Sequence, residues 1–327
     1  MRLRRRSEQL AWLAFVLTMA SAAAAEEPQK WLERMNQALM TLNYDGVFAH
    51  IQGGRIETLR IIHRVQDGTV MERLVSLDGS GREFIRTGSQ LVCYLPDTRT
   101  VLIEQQPEAR LLLGSLPKFD RSMSQFYDIT ARRQQRLIGK KTQLIVVDPK
   151  DQYRYGYRLW IDEATGMPLR TELCDGAGRV IEQVVFASIS TPERIPDSAF
   201  KPDVSAEGFR VLRQVPTPLP PSGPVYSWSA LRLPPGFHIS ARAAQAMPGT
   251  PGLVEHLVYT DGIASVSVFV ESHMHTGHSL WGSAQLGSTS TFATIVDGHP
   301  VTAVGEVPPE TVKFIANAMK AQPSPAH

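Results

Sequence analysis

Residues 255–271 read Glu-His-Leu-Val-Tyr-Thr-Asp-Gly-Ile-Ala-Ser-Val-Ser-Val-Phe-Val-Glu. Two apolar runs flank Asp261-Gly262. An Asp-Gly pair in that setting is a strong hairpin signal, because both central positions of the tight turn need positive φ. In the second run Val266, Val268 and Val270 fall on one face, and Ser265, Ser267, Phe269 and Glu271 on the other, by the two-residue period of a strand. No catalytic residue sits in the hairpin, so it points to a binding protein. Phe269 is an aromatic on an otherwise polar face, the signature of an interface anchor, unless the C-terminal helix covers that face. Tyr259, Ser267, Phe269 and Glu271 are the candidate partner-binding residues.

Around this hairpin, Gly236–Ala243, Leu253–Thr260, Ile263–Glu271, Thr291–Val296 and Val301–Val307 read as strands. Pro308-Pro309-Glu310 then starts a helix whose Val312, Ile315, Ala316 and Met319 line one face. Pro309 suits a first turn and Glu310 complements the helix dipole there. Residues 321–327 read as a frayed tail.

Upstream, Pro216, Pro218, Pro220, Pro221 and Pro224 crowd into one short stretch. Such a run favours extended polyproline and continues neither helix nor sheet. Residues 213–225 are therefore expected to link two domains, 26–212 and 226–320.

The first domain begins with a helix from Pro28, on which Trp31, Met35, Leu39 and Leu42 recur at helical spacing. A meander of strands follows, cut by Gly53-Gly54, Asp67-Gly68, Asp78-Gly79, Gly88-Ser89 and Pro96-Asp97. Val47–Gln52, Arg55–Val65, Thr69–Leu77, Arg82–Arg86, Gln90–Leu95 and Thr100–Gln105 come first. Tyr127–Leu137, Thr142–Val147, Arg154–Asp162, Pro168–Cys174 and Arg179–Ser190 come later. Between the two sets, Leu111, Leu112, Leu113, Leu116, Phe119, Met123 and Phe126 make an apolar insert.

The expected fold is mainly β (α+β). A strongly curved antiparallel half-barrel sheet wraps on helices, with a smaller C-terminal α+β domain. A curved open sheet must cover its concave face, and the insert is the plug. If the plug is incomplete, acyl chains would enter at about 0.8 kcal/mol per buried CH₂, so its seven apolar residues are the candidate lipid-binding set. Arg55, Arg60, Arg64, Arg73, Arg82, Arg86 and Arg99 are expected mostly on a solvated exterior, some of them within reach of lipid phosphates.

Residues 1–25 read as a cleavable export signal: Arg2, Arg4, Arg5 and Arg6, an apolar run from Leu10 to Ala20, then Ala23-x-Ala25. Removing them takes four Arg and one Glu from the 34 basic and 32 acidic residues, which leaves a net charge of −1. Nucleic-acid binding therefore has no bulk electrostatic support. An oxidising compartment permits a disulfide between the two cysteines. However, Cys93 shares a face with Leu91 and Leu95, and Cys174 with Arg170 and Glu172, so two separate thiols are expected, the second exposed.

Catalytic motifs are missing: there is no Gly-x-Ser-x-Gly elbow and no His-Glu-x-x-His pair. His273, His275 and His278 bring three imidazoles together, but no Cys or carboxylate pattern accompanies them and the run is Gly-rich. No catalytic residue, metal site or cofactor is expected.

The hairpin at 255–271, with Leu233-Pro-Pro-Gly-Phe237 before it and Val304-Gly-Glu-Val-Pro308 after it, resembles the C-terminal domain of the MucB/RseB family. The N-terminal helix, meander and insert, with Leu159-Trp-Ile-Asp162 and Thr165-Gly-Met-Pro-Leu169, resemble the N-terminal domain of that family and the LolA/LolB lipoprotein carriers. The resemblance implies a periplasmic negative regulator of the envelope stress response. Such a protein binds the periplasmic domain of a single-span anti-sigma factor of RseA/MucA type and shields it from regulated proteolysis. Lipopolysaccharide or another acylated ligand releases the partner. The competing reading is a periplasmic lipid or lipoprotein carrier of LolA/LolB type. A homo-oligomer is left open.

Overall fold

A computed structural model describes residues 27–105, 112–113, 119, 121–214, 227–247, 250, 252–272 and 281–322. The expected export signal, Leu111, Leu116, the proline run and the three histidines at 273–278 lie outside the described residues.

Helix Pro28–Thr41 starts on its proline and buries Trp31, Leu32, Met35, Ala38 and Leu39. It packs on one face of a 13-stranded sheet. Across that sheet run Arg210–Gln214, Thr100–Gln105, Gln90–Leu95, Glu83–Thr87, Thr69–Ser76, Arg55–Gln66, Tyr44–Gln52, Val180–Ser190, Pro168–Cys174, Gly156–Asp162, Lys140–Pro149 and Tyr127–Ala131, with Gln135–Leu137 also paired to Lys140–Pro149. Two meanders thus join where Tyr44–Gln52 pairs with Val180–Ser190. The sheet is open: its outermost strands, Arg210–Gln214 and Tyr127–Ala131, do not pair with each other.

Under the sheet, Phe119, Met123 and Leu113 of the insert join the helix against Tyr44, Phe48, Ile61, Ile145, Val147, Leu159 and Ile161. On the other face Ile195 and Phe200 cover Ile62.

Several details differ from the expectations. Tyr127–Leu137 is two strands, because residues 132–134 leave the ladder while the Arg132 carbonyl accepts a hydrogen bond from Gln143 Nε2. Arg210–Gln214 is an unforeseen strand, parallel to Thr100–Gln105, and it takes in Arg213 and Gln214, assigned above to the linker. Its residues Arg210–Arg213 are exposed, so it carries no alternation to read. Arg64, Arg73 and Arg86 are buried rather than solvated. Arg64 pairs with Asp197, Arg73 with Glu83 and Asp203, and Arg86 with Glu72. Cys93 and Cys174 are free thiols, and Cys174 is buried, against expectation. Its backbone stands at a register shift against the neighbouring strand, where simple alternation fails.

The second unit is a six-stranded antiparallel sheet in the order His238–Ala246, Leu253–Thr260, Ser265–Glu271, His299–Gly305, Thr289–Val296, Gly282–Leu286. Helix Pro309–Asn317 packs on the face that carries Val266, Val268 and Val270. Ser227–Ala230 pairs with Met319–Gln322, so Ala321 and Gln322 belong to a strand rather than to a frayed tail. The hairpin itself is wider than expected. Thr260 pairs with Ser265, so the loop has four residues, and Gly262 but not Asp261 has positive φ. Asp261 Oδ1 closes this loop by accepting from the amides of Ile263 and Ala264 at 2.9 and 2.7 Å.

Candidate functional site: a buried interdomain seam and an open sheet face

The loop between Lys140–Pro149 and Gly156–Asp162 sends Arg154 into the second unit. Its guanidinium is fully buried and meets Asp261 Oδ2 through Nε at 2.5 Å. Asp151 and the carbonyl of Pro235 take its other two nitrogens. The rings of Phe126, Phe237 and Tyr127 surround it, 4.6, 5.1 and 5.9 Å from the guanidinium carbon. A cation held by two carboxylates, a carbonyl and aromatic faces has the compensation that burial demands. Beside it Thr311 Oγ1 donates to the carbonyl of Tyr153 at 2.9 Å, and the Tyr153 and Phe314 rings meet edge-on.

A second knot lies at the Tyr44–Gln52/Val180–Ser190 junction. Glu182 accepts from His50 Nε2 at 3.0 Å, from Gln52 at 2.9 Å and from Ser288 of the second unit at 2.8 Å. Burial alone would raise the Glu182 carboxyl, but these hydrogen bonds outweigh it and hold the group below its ordinary range. The same bond raises the His50 imidazole. Close by, Leu113, Tyr157, Val184, Phe186, Glu182 and Glu306 line a cavity of ≈ 50 Å³.

Among the described residues no helix covers the outer face of the second sheet, because Pro309–Asn317 takes the valine face. His256 and Phe269, paired across adjacent strands, stack with ring centroids 4.4 Å apart, and Ser267 Oγ meets His256 Nε2 at 3.0 Å. Around them Val258, Thr302 and Val304 are half-buried, while Ala241 and Ala243 are exposed.

The two halves of the chain match two domain models in register with these two sheets: the MucB/RseB N-terminal domain over residues 27–204 and the MucB/RseB C-terminal domain over 222–320. The chain belongs to the MucB/RseB family. Within that family, the sigma factor AlgU regulatory protein MucB of Pseudomonas aeruginosa is 30% identical over 322 residues, 96% of this chain and 98% of its own. The sigma-E factor regulatory protein RseB of Escherichia coli (strain K12) is 27% identical over 315 residues, 93% and 94% of the two chains. A solved complex of Pseudomonas aeruginosa MucA and MucB superposes with a TM-score of 0.71 at 29% identity, over 91% of this chain and 99% of that one.

The segments that carry the MucB/RseB likeness have identifiable structural work. Gly236 has φ +80, and a Cβ there would lie 2.3 Å from the Phe126 ring, so glycine lets that ring reach Arg154. At Gly305 a Cβ would lie 2.4 Å from the Ser265 carbonyl. Asp162 accepts from Thr165 Oγ1 at 2.7 Å and closes the turn that Gly166 completes at φ +80.

The candidate residues separate by environment. Leu113, Phe119 and Met123 are buried in the first core and Leu112 packs against it. Phe126 is half-buried at the seam. Phe269 and Ser267 share the open face. Tyr259 is buried, accepting from the Ala230 amide at 2.9 Å and pointing at Met319. Glu271 is buried too. Arg154, Asp261 as its partner, and the Glu182 knot were not singled out in the sequence, which marks Asp261 only as a turn former. Among the described residues no group of three or more His, Cys, Asp or Glu is arranged to hold a metal ion.

Proposed function

We propose that this protein is a periplasmic negative regulator of the envelope stress response. It binds the periplasmic domain of a single-span anti-sigma factor and shields that partner from regulated proteolysis. The uncovered sheet face of the second unit carries this reading. It carries the stacked, half-buried His256–Phe269 pair, with Ser267, across three paired strands, and a pre-organised aromatic anchor among small side chains is what a partner segment docks on. The MucA/MucB complex among the similar structures supports a partner of that class. The export signal expected at residues 1–25 supports the location. The finer shape of the first unit, a strongly curved half-barrel, belongs to the same reading, as does the division at residues 213–225.

Release by lipopolysaccharide or another acylated ligand takes the form of linkage, in which ligand and partner favour different states of the molecule. Beside Leu113, at the cavity of ≈ 50 Å³, an acyl chain enters by displacing part of the insert. The seam at Arg154 and the knot at Glu182 then register the change, since both lie where the two units meet.

Calorimetric titration of the mature protein with the periplasmic segment of its anti-sigma factor, with and without lipopolysaccharide, tests this. Tight binding that the lipid weakens supports the regulator. A lipid isotherm without partner binding overturns it in favour of the carrier.

A further inference from the structure

Residues 130–141, Thr-Ala-Arg-Arg-Gln-Gln-Arg-Leu-Ile-Gly-Lys-Lys, hold five cations and no anion. They end in the hairpin that pairs Gln135–Leu137 with the start of Lys140–Pro149. Arg132, Arg133, Arg136 and Lys141 are exposed. Among the described residues Lys140 alone of the five has a carboxylate within ion-pair distance, Asp162 at 3.8 Å. Arg136 donates instead to the carbonyl of Gly139.

At the tip stand Ile138 and Gly139 with φ 44 and 78. Two-residue turns of this kind favour Asn-Gly, and a β-branched residue at positive φ is an outlier. The Ile138 side chain is nonetheless turned to solvent, 42% exposed. Strain of this sort clusters at functional sites.

We propose that this hairpin docks on the surface of an anionic phospholipid bilayer. Ile138 enters the interfacial layer, and the cations lie over lipid phosphates, where guanidinium forks match the oxygens. The apolar tip favours a bilayer over nucleic acid, and no aromatic residue in the stretch offers a stacking platform for bases. Strand Lys140–Pro149 separates the hairpin from the Arg154 loop by ten residues, roughly 33 Å of extended chain. The seam stays clear of the bilayer, and the inference does not depend on the identity of any protein partner.

Co-sedimentation of the mature protein with vesicles tests it, using phosphatidylglycerol mixed with phosphatidylcholine against phosphatidylcholine alone, at low and high salt. The wild type sediments with the anionic vesicles only, and salt releases it. Each cation near such a surface strengthens binding about fivefold, so the combined Arg132→Gln, Arg133→Gln and Arg136→Gln variant binds about a hundredfold more weakly. Ile138→Asn also binds more weakly yet melts higher, because asparagine accepts the positive φ; a fold defect would lower both. The proposal is overturned if the wild type ignores phosphatidylglycerol vesicles, even while binding lipopolysaccharide or an acidic protein. It is equally overturned if the triple variant, or Ile138→Asn, binds them as the wild type does.

Discussion

Arg154 Nε and Asp261 Oδ2 meet at 2.5 Å between the two sheets, both side chains buried, so the turn of the second unit's central hairpin is also the docking point for the first. Asp261 divides its two oxygens between the tasks: Oδ1 holds its own loop and Oδ2 holds Arg154. Asp261→Asn keeps an oxygen for the loop but turns an amide donor toward the guanidinium. Breaking a buried pair from one side costs about 3–5 kcal/mol. We expect a loss of that order in urea unfolding, and a larger radius of gyration by small-angle scattering as the seam opens. An unchanged radius would mean that the other contacts hold the units together unaided.

Phe269 and Tyr259 stand on adjacent strands but face opposite ways, and the expected effects of changing them are opposite. Phe269→Ala removes the ring stacked on His256 from the open face. An anchor of this kind is worth about 2 kcal/mol or more, so affinity for the anti-sigma segment should fall at least thirtyfold with little change in unfolding. Tyr259→Phe deprives the Ala230 amide of its acceptor. It should cost about 1 kcal/mol of stability and leave affinity unaltered. Calorimetry and urea unfolding on both variants decide the assignment.

Gly236 and Phe126 should show strong coupling. Gly236→Ala meets both the positive φ and the ring at 2.3 Å, for a loss of roughly 3 kcal/mol. Phe126→Ala removes the obstacle. The double variant should therefore be more stable than the two single losses added together, by about 1–2 kcal/mol. Simple additivity would place the cost of Gly236→Ala in the backbone alone.

Glu72 is buried beside Arg86 and accepts from the Leu112 amide at 3.1 Å. Burial pushes its carboxyl up to about 7, against the opposing pull of that amide and the guanidinium. A carboxyl whose folded value is raised contributes stability at pH below its unfolded value, near 4.5, and loses it as pH climbs through 7. The wild type should thus lose on the order of 3 kcal/mol from this group between pH 4.5 and 8. Glu72→Gln should be flatter over the same range. Unfolding of both proteins at pH 5 and 8 gives the difference directly, and parallel curves would place the Glu72 carboxyl near its ordinary value in the folded protein.

Much of the architecture was written in local patterns. The meander, the helix from Pro28, the insert and the valine face of Ser265–Glu271 follow from side-chain period and turn residues, which act over a few positions and leave their mark there. Strands without alternation escaped. Arg210–Gln214 exposes the residues that would show it, and Met319–Gln322 exists only because Ser227–Ala230 lies beside it. The Asp-Gly signal located the hairpin but misjudged its width, since the Asp261 carboxylate, rather than positive φ at Asp261, closes the loop.

By itself, then, the sequence determined most of the helices and strands, the valine face of Ser265–Glu271 and the family, because these rest on neighbours within a few residues or on contiguous motifs. Tertiary structure alone decided which face of the second sheet stays open, that Tyr259 turns inward, and that Arg154 finds Asp261 107 residues away. Burial and charge pairing across such distances depend on how separate elements pack, and no local spacing encodes that.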